Sequence, residues 1–432
     1  MRPYHPFHPD QAALLPRSLE ELIPPGDPVR LIREIIEHEL DLGPIHRTLR
    51  TEKGRPPFHP AAMVGLLLYG YCRGVYSSRR LALACQQNVN FMYLTGQAQP
   101  DFRTITHFRK RFRDALEAYF SETLALCREA GLARLGHVSL DGSKVRANAS
   151  KHKAMSYGRL LQKEEQLERE ITGWFEQSEQ EDREEDDEHG PGDDGFTLPA
   201  ELQEPQRRLA VIRAARERLE RWARERVEQA GQDPDLAQVS EKAQTNFTDP
   251  ESRIMHTPDG FQQCYNVQIV VDAESQVIVA QEVSQAPPDV QRLIPMLERV
   301  RVENGRVPGQ LTADAGYASE GNFAALEAAG VDAVIALRRY HRDEPPGADP
   351  ALPTASKRWP HRNRMREKLF SPEGKAVYRL RKQTVEPVFG QIKGARGFRQ
   401  FLCRGTEMVR LEWSLICTAH NLLKLAGARM AV

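Results

Sequence analysis

No stretch of this 432-residue chain approaches the roughly 18 consecutive apolar residues that a membrane-spanning helix requires. The first residues, MRPYHPFHPDQAALL, have neither the apolar run nor the small-residue cleavage site of a secretory signal, so a cytoplasmic protein is expected. Cysteine is sparse. The six residues (Cys72, Cys85, Cys127, Cys264, Cys403 and Cys417) include no CxxC pair and no Cys/His cluster at zinc spacing, which argues against a disulfide framework or a structural zinc. Most lie among apolar neighbours and read as buried reduced thiols. The length is too great for one ordinary core, and two or three structural units are expected.

A net charge of zero conceals a strong asymmetry. Between Lys357 and Arg404 stand 14 Lys/Arg against three acids, Glu367, Glu373 and Glu386. Between Glu176 and Asp194 the balance reverses, with 11 acids against the single Arg183. One part of the chain attracts polyanions and another repels them.

Residues 1–135 read as an all-helical DNA-binding unit. Asp27-Pro28 supplies an N-cap and a first-turn proline, followed by Val29, Ile32, Ile35, Ile36 and Leu40 at helical spacing. His59-Pro60 opens an apolar helix, Gly74 breaks it, and Ser77 or Ser78 starts the next one. Asp101 caps a further helix with Ile105, Phe108, Phe112, Leu116 and Phe120 inward. Helix, short turn and helix over 59–90 fit a DNA-binding helix-turn-helix exposing Arg79, Arg80, Gln86, Gln87 and Asn88. They fit a plain αα-hairpin slightly better.

The period then changes. HVSLDGSKVRA (137–147) alternates as a strand. YNVQIVVD (265–272) and QVIVAQEV (276–283) form a hairpin through Ala273-Glu274-Ser275. A helix opened by Pro287-Pro288-Asp289 follows, then a strand (310–316), a helix (320–329) and a strand (331–337). Residues 136–150 and 246–432 thus predict an α/β domain with a mixed sheet. The intervening 151–245 reads as a charged helical hairpin with an acidic, flexible tip, a partner surface or spacer without catalytic features. Trp359 in the Pro/Arg-rich loop reads as a buried or loop-anchoring residue, with stacking on a flipped base as the alternative.

Metal-assisted phosphodiester chemistry needs hard oxygen ligands on a rigid base. Asp141 in the first strand is followed by small residues, Asp314 ends another strand within ADAG, and Glu386 lies in the helix TVEPVFGQIKG amid the most basic part of the chain. Glu386 and Lys393 stand two helical turns apart on one face. Taken singly, each acid is equally a turn or surface residue. Together, in the order strand, strand, basic helix, they suggest one site.

The motifs HVSLDGSKVRANAS, TDPESRIMHTPDGFQQCYNVQIVVD, LTADAGYASEGNF, YRLRKQTVEPVFGQIKGARGFRQFLCRG and GRPPFHPAAMVGLLLYGYCRGVYSSRRL resemble those of bacterial insertion-sequence DDE transposases of the group with a Tyr–Arg–Glu–Lys pattern. The resemblance covers nearly the whole chain. It implies an RNase H-like catalytic domain behind the helical N-terminal unit, with Asp141, Asp314 and Glu386 as a catalytic triad binding Mg²⁺, for which Mn²⁺ is expected to substitute. It also implies cleavage and joining of double-stranded DNA at terminal inverted repeats, a homodimer on DNA, and a nucleoid-associated location. Lys393 takes the pattern's lysine as a DNA contact. Tyr378 and Arg381 have the expected mutual spacing, but Arg381 stands one residue too far from Glu386, where Lys382 occupies the slot. The large 151–245 insertion departs from the compact form of the fold. The rival readings are an RNase H-like nuclease that only hydrolyses, an inactive DNA-binding remnant, and an interaction protein built on the 151–245 arm.

Overall fold

The computed structural model describes residues 18–49, 56–149, 154–170, 172, 200–229, 232–337 and 358–431. Among these described residues eight helices come first: α1 (Leu19–Leu22), α2 (Pro28–His38), α3 (Gly43–Leu49), α4 (Pro60–Cys72), α5 (Ser78–Gln87), α6 (Val89–Thr95), α7 (Phe102–Arg111) and α8 (Arg113–Glu129). The caps fall where side-chain chemistry places them: Asp27 accepts from Val29 N, His59 from Ala61 N, and Asp101 from Arg103 N and Thr104 N. Helix α4 is apolar all round, and nearly every residue of it is buried. Two features differ from the pattern expected. Helix α6 is separate, begun by Asn88 and closed by Gly96 at φ 57°, and the helix expected from Asp101 through Phe120 breaks at Phe112 into α7 and α8.

The sheet comprises β1 (His137–Arg146), β4 (Arg253–Thr257), β5 (Gly260–Asp272), β6 (Ile278–Ser284), β7 (Gln310–Ala313) and β8 (Asp332–Ile335), while β2 (Ala154–Ser156) and β3 (Gln244–Asn246) pair separately. The order is β5-β1-β7-β8, with β4 and β6 both on the outer edge of β5. Strand β1 is antiparallel to β5 and parallel to β7, which is parallel to β8. This is the mixed RNase H-like sheet expected; β4, turned through Pro258-Asp259 into β5, is the unforeseen strand. Helices α11 (Leu293–Asn304) and α12 (Glu320–Ala328) connect the later strands, and α13 (Pro360–Phe370), α14 (Pro372–Gly390) and α15 (Thr406–Met430) complete the chain.

Helix α15 joins the two halves. Trp413, Leu415, Ile416 and Leu422 are buried within one core cluster that spans the N-terminal helices and the sheet. On its sheet-facing side Asn421 accepts from Ile278 N and donates to Ile278 O, both at 2.9 Å, satisfying backbone groups of the edge strand β6. A second, small core lies in the charged arm, where residues 157–170 (α9) run antiparallel to α10 (Ala200–Gln229) over Leu160, Leu167, Leu209, Ile212 and Leu219. Glu164 accepts from Arg213 and Arg216 there, and Tyr157 donates to Glu220. The acidic run 176–194 and most of the Pro/Arg-rich loop lie outside the described residues. Among the described residues no helix is long and apolar enough to cross a membrane.

Candidate active site

Asp141 lies near the middle of β1, and Asp314 immediately follows β7. The parallel register pairs Leu140 with Ala313, so the two aspartates leave adjacent strands at the same level. Asp314 Oδ1 accepts from Gly316 N at 2.8 Å, which turns the chain out of the sheet. Helix α14 crosses the same edge and carries Tyr378, Arg381 and Glu386. Arg381 Nη1 stands 3.4 Å from Asp141 Oδ2 and 3.9 Å from Glu386 Oε1. Its side chain is 13 % exposed and that of Glu386 is 52 % exposed, so the guanidinium lies between the two carboxylates while Glu386 still reaches solvent. Tyr378 hydrogen-bonds Arg381. The one-residue spacing mismatch is thereby resolved in space: Arg381 enters the site and Lys382 is exposed.

Electrostatics follow from this crowding. Burial pushes the Asp141 carboxyl up to about 7; the nearby Arg381 pulls it down, while Asp314 and Asp289 push it further up. Lys393 sits in a π-helical turn (Gln391–Ala395) that extends α14. Its Nζ donates to Ser143 Oγ at 2.7 Å and to Lys144 O at 2.9 Å, and burial lowers the ammonium to about 8. Asp141, Asp314, Glu386, Arg381, Tyr378 and Lys393 are thus drawn together around β1, β7 and α14. Arg79 and Arg80 are not; both are exposed on α5. Trp359, expected to be buried or to anchor its loop, is 42 % exposed at the head of α13, with Arg358 over its ring at 5.2 Å.

The donor set, carboxylate oxygens on adjacent strands and a facing helix, suits a hard divalent cation such as Mg²⁺ or Mn²⁺. The site is not closed around one: among the described residues no three His, Cys, Asp or Glu side chains stand close enough to enclose a metal ion. Asp141 and Asp314 are placed by the sheet, whereas Glu386 on α14 is half exposed and stands 3.9 Å from the Arg381 guanidinium.

Reading the sequence missed Asp289. Pro287-Pro288-Asp289 looked like a helix opening, yet the Asp289 side chain makes no capping hydrogen bond. Its Oδ1 instead accepts from Asn266 Nδ2 at 2.7 Å, Gln268 Nε2 at 2.9 Å and Lys144 Nζ at 3.1 Å. Gln268 also accepts from the Tyr317 hydroxyl, so Gln268 links the Asp289 carboxylate to the segment after Asp314. Gly142 is explained here too, because a Cβ at that position would stand 2.3 Å from Gln268 Nε2 and 2.8 Å from Asp289 Oδ1. The small residue after Asp141 makes room for this network. Asp289→Ala would strand three donors beside the site, and DNA cleavage should fall about 10–100-fold with DNA affinity unchanged. Parallel cleavage and binding titrations check this, and wild-type cleavage by the variant would remove Asp289 from the site.

Two family models match the chain: a Transposase domain (DUF772) over residues 17–111 and a Transposase DDE domain over residues 240–422. No curated protein and no solved structure matches it. The first match takes in the opening helices through α7, and the second takes in the strands from β3 onward with Asp314 and Glu386; on both counts the chain belongs to the insertion-sequence DDE transposases.

Proposed function

We propose that this protein binds the terminal inverted repeats of its own element and catalyses strand cleavage followed by strand transfer at a site formed by Asp141, Asp314 and Glu386. The observation that carries this reading is the pairing of Asp141 and Asp314 at one level of adjacent parallel strands, with Glu386 facing them across Arg381. When bound, Mg²⁺ or Mn²⁺ would be held by these three carboxylates and would supply activation of the attacking oxygen and stabilisation of the leaving one.

The chain's own groups do the rest. Strands β1 and β7 fix the two aspartates, so little reorganisation accompanies reaction. Lys393, tied to β1 two residues beyond Asp141, places a cation beside the reacting phosphate. Arg381 neutralises Asp141 and Glu386 before the site is loaded. Hydrolysis breaks a phosphorus–oxygen bond at each element end and leaves a 3′-hydroxyl; that hydroxyl then attacks a target phosphate in line, forming one phosphodiester as another breaks. Both steps leave the protein free of covalent linkage. Holding two ends together calls for at least a dimer, with the α9–α10 arm as its contact surface.

The test is incubation of purified protein with a labelled element-end fragment and a supercoiled target plasmid, in Mg²⁺ or in EDTA. Metal-dependent cleavage with joined products is the expected result. Cleavage without joining would make the protein a hydrolytic nuclease of the same fold, and binding without either reaction would make it a DNA-binding remnant.

A further inference from the structure

The chain beyond α14 stays beside β1. Lys393 Nζ donates to Lys144 O, Arg399 Nε donates to Lys393 O at 3.1 Å, Phe401 N donates to Arg146 O at 2.8 Å, and Arg404 Nε donates to Asn148 O at 3.0 Å. Residues 393–404 therefore accompany 143–148 in the same direction, with a parallel bridge between Arg146 and Gln400. Two separate stretches of sequence thus bring Arg146, Lys393, Arg399 and Arg404 alongside one another, with Lys144 held inward on Asp289. Neither stretch, 142–149 nor 387–406, contains an acidic residue. Arg146, Arg399 and Arg404 are exposed.

The row ends against the N-terminal helices. Gly74 adopts φ 74°, and a Cβ there would stand 2.7 Å from Arg396 O. The Tyr76 hydroxyl donates to the same carbonyl at 2.9 Å, and its ring meets Phe398 edge-on. This docks the turn before α5 on the row at Arg396–Phe398, and at the Arg404 end a groove of about 610 Å³ is lined by Arg79, Phe102, Lys110, Leu402 and Arg404 among others. Among its described lining residues there is no carboxylate. Phe102 is 37 % exposed, with the Arg79 and Arg103 guanidinium groups 5.1 and 5.7 Å from its ring centre. Cations interleaved with an exposed aromatic, in a groove without acids, are the chemistry of a nucleic-acid backbone site.

We propose that the row and the groove form one continuous track for a DNA phosphodiester backbone, occupied by the duplex of the element's own end. This rests on the transposase chemistry proposed above. The track starts at Lys393 beside the carboxylates and runs unbroken to the N-terminal helices, as needed for an end held through two successive reactions. From Asp141 to Asn148 the extended chain spans roughly 23 Å at about 3.3 Å per residue. At about 3.4 Å per base pair, the groove meets phosphates about seven positions from the scissile one.

End duplexes carrying single neutral methylphosphonate linkages, read by fluorescence anisotropy, test this without altering the protein. Neutral linkages about six to eight positions from the cleavage point should weaken wild-type binding several-fold, a span set by the strand rise. The Arg79→Gln/Lys110→Gln/Arg404→Gln variant should bind about tenfold or more weakly, lose about two to three from its salt slope, and become indifferent to those linkages. Its melt should stay cooperative and near that of wild type, since all three side chains are exposed and the hydrogen bond lost is the surface contact of Arg404 with Asn148. A flat wild-type profile across those positions overturns the track, as does a variant with wild-type affinity and profile. A variant that binds ends normally but fails to join them to a plasmid assigns the groove to target DNA and overturns the occupant. If wild type bound no end at all, or Asp314→Asn cut as well as wild type, the transposase reading itself would fall.

Discussion

Asp141→Asn, Asp314→Asn and Glu386→Gln should each lose metal-dependent cleavage and joining by about 10³-fold or more while still binding end DNA. Each substitution keeps the side chain's shape and removes one charge from a site that must hold divalent cations against a phosphate. Asp141 is the most exacting of the three. It is half-buried, faces Arg381 and stands beside Asp314, so an amide there loses the ligand while the guanidinium still occupies the space. Glu386 is half exposed and bonded only loosely to Arg381, so its variant should melt like wild type and isolate the catalytic loss. Binding by anisotropy and single-turnover cleavage on one substrate separate the two effects. Cleavage at wild-type rates in any of the three removes that residue from the triad; loss of binding in all three would point to a structural role.

Arg109→Met is expected to cost about 3–5 kcal/mol of stability, the loss associated with leaving a buried charge uncompensated. Arg109 on α7 is 5 % exposed and Glu412 on α15 is fully buried. The Arg109 Nη2 donates to Tyr76 O at 3.1 Å, its guanidinium faces the Tyr71 ring, and its side chain and that of Glu412 both hydrogen-bond Cys403. Glu412 in turn accepts from Leu402 N and Cys403 N, so the pair ties the turn before α5, helix α7 and the 401–404 segment to α15. Desolvation raises the Glu412 carboxyl and is offset by the Cys403 amide and by Arg109. Urea unfolding of Arg109→Met, Glu412→Leu and the double variant measures the coupling: the double variant should recover much of the single-variant loss, because two apolar groups replace the pair together. Strict additivity of the two single losses would show that the charges do not interact.

The helical unit and most of the strands were legible from local rules. Asp27-Pro28, His59-Pro60 and Asp101 announce helix starts because an uncapped first turn is costly and proline fits there. Alternation in 137–147 and 265–283 announces strands because one face of each must be buried. Short-range competition was harder to read. Phe112 and Asn88 divide the helices, and α6 is too short for its period to show. Strand β4 was hidden by its polar lead-in, since its register is set by pairing with β5 and not by its own alternation.

What the sequence determined by itself is therefore the chemistry available: three carboxylates on two strands and a helix, a basic C-terminal stretch, and the motifs of a transposase. Those are properties of residue type and spacing, which local periodicity transmits. The tertiary structure alone decided which groups meet. Arg381, one position out of pattern, reaches Asp141 because a long side chain on α14 spans the offset, while the better-spaced Lys382 faces solvent. Asp289, 148 residues beyond Asp141, joins the site through Lys144, Asn266 and Gln268. Arg404 comes beside Asn148 because 393–404 pairs along β1. Most of these contacts link residues more than 100 positions apart, and the rest turn on the direction of one side chain. No local period encodes either, since both follow from how the sheet and α14 close on one another.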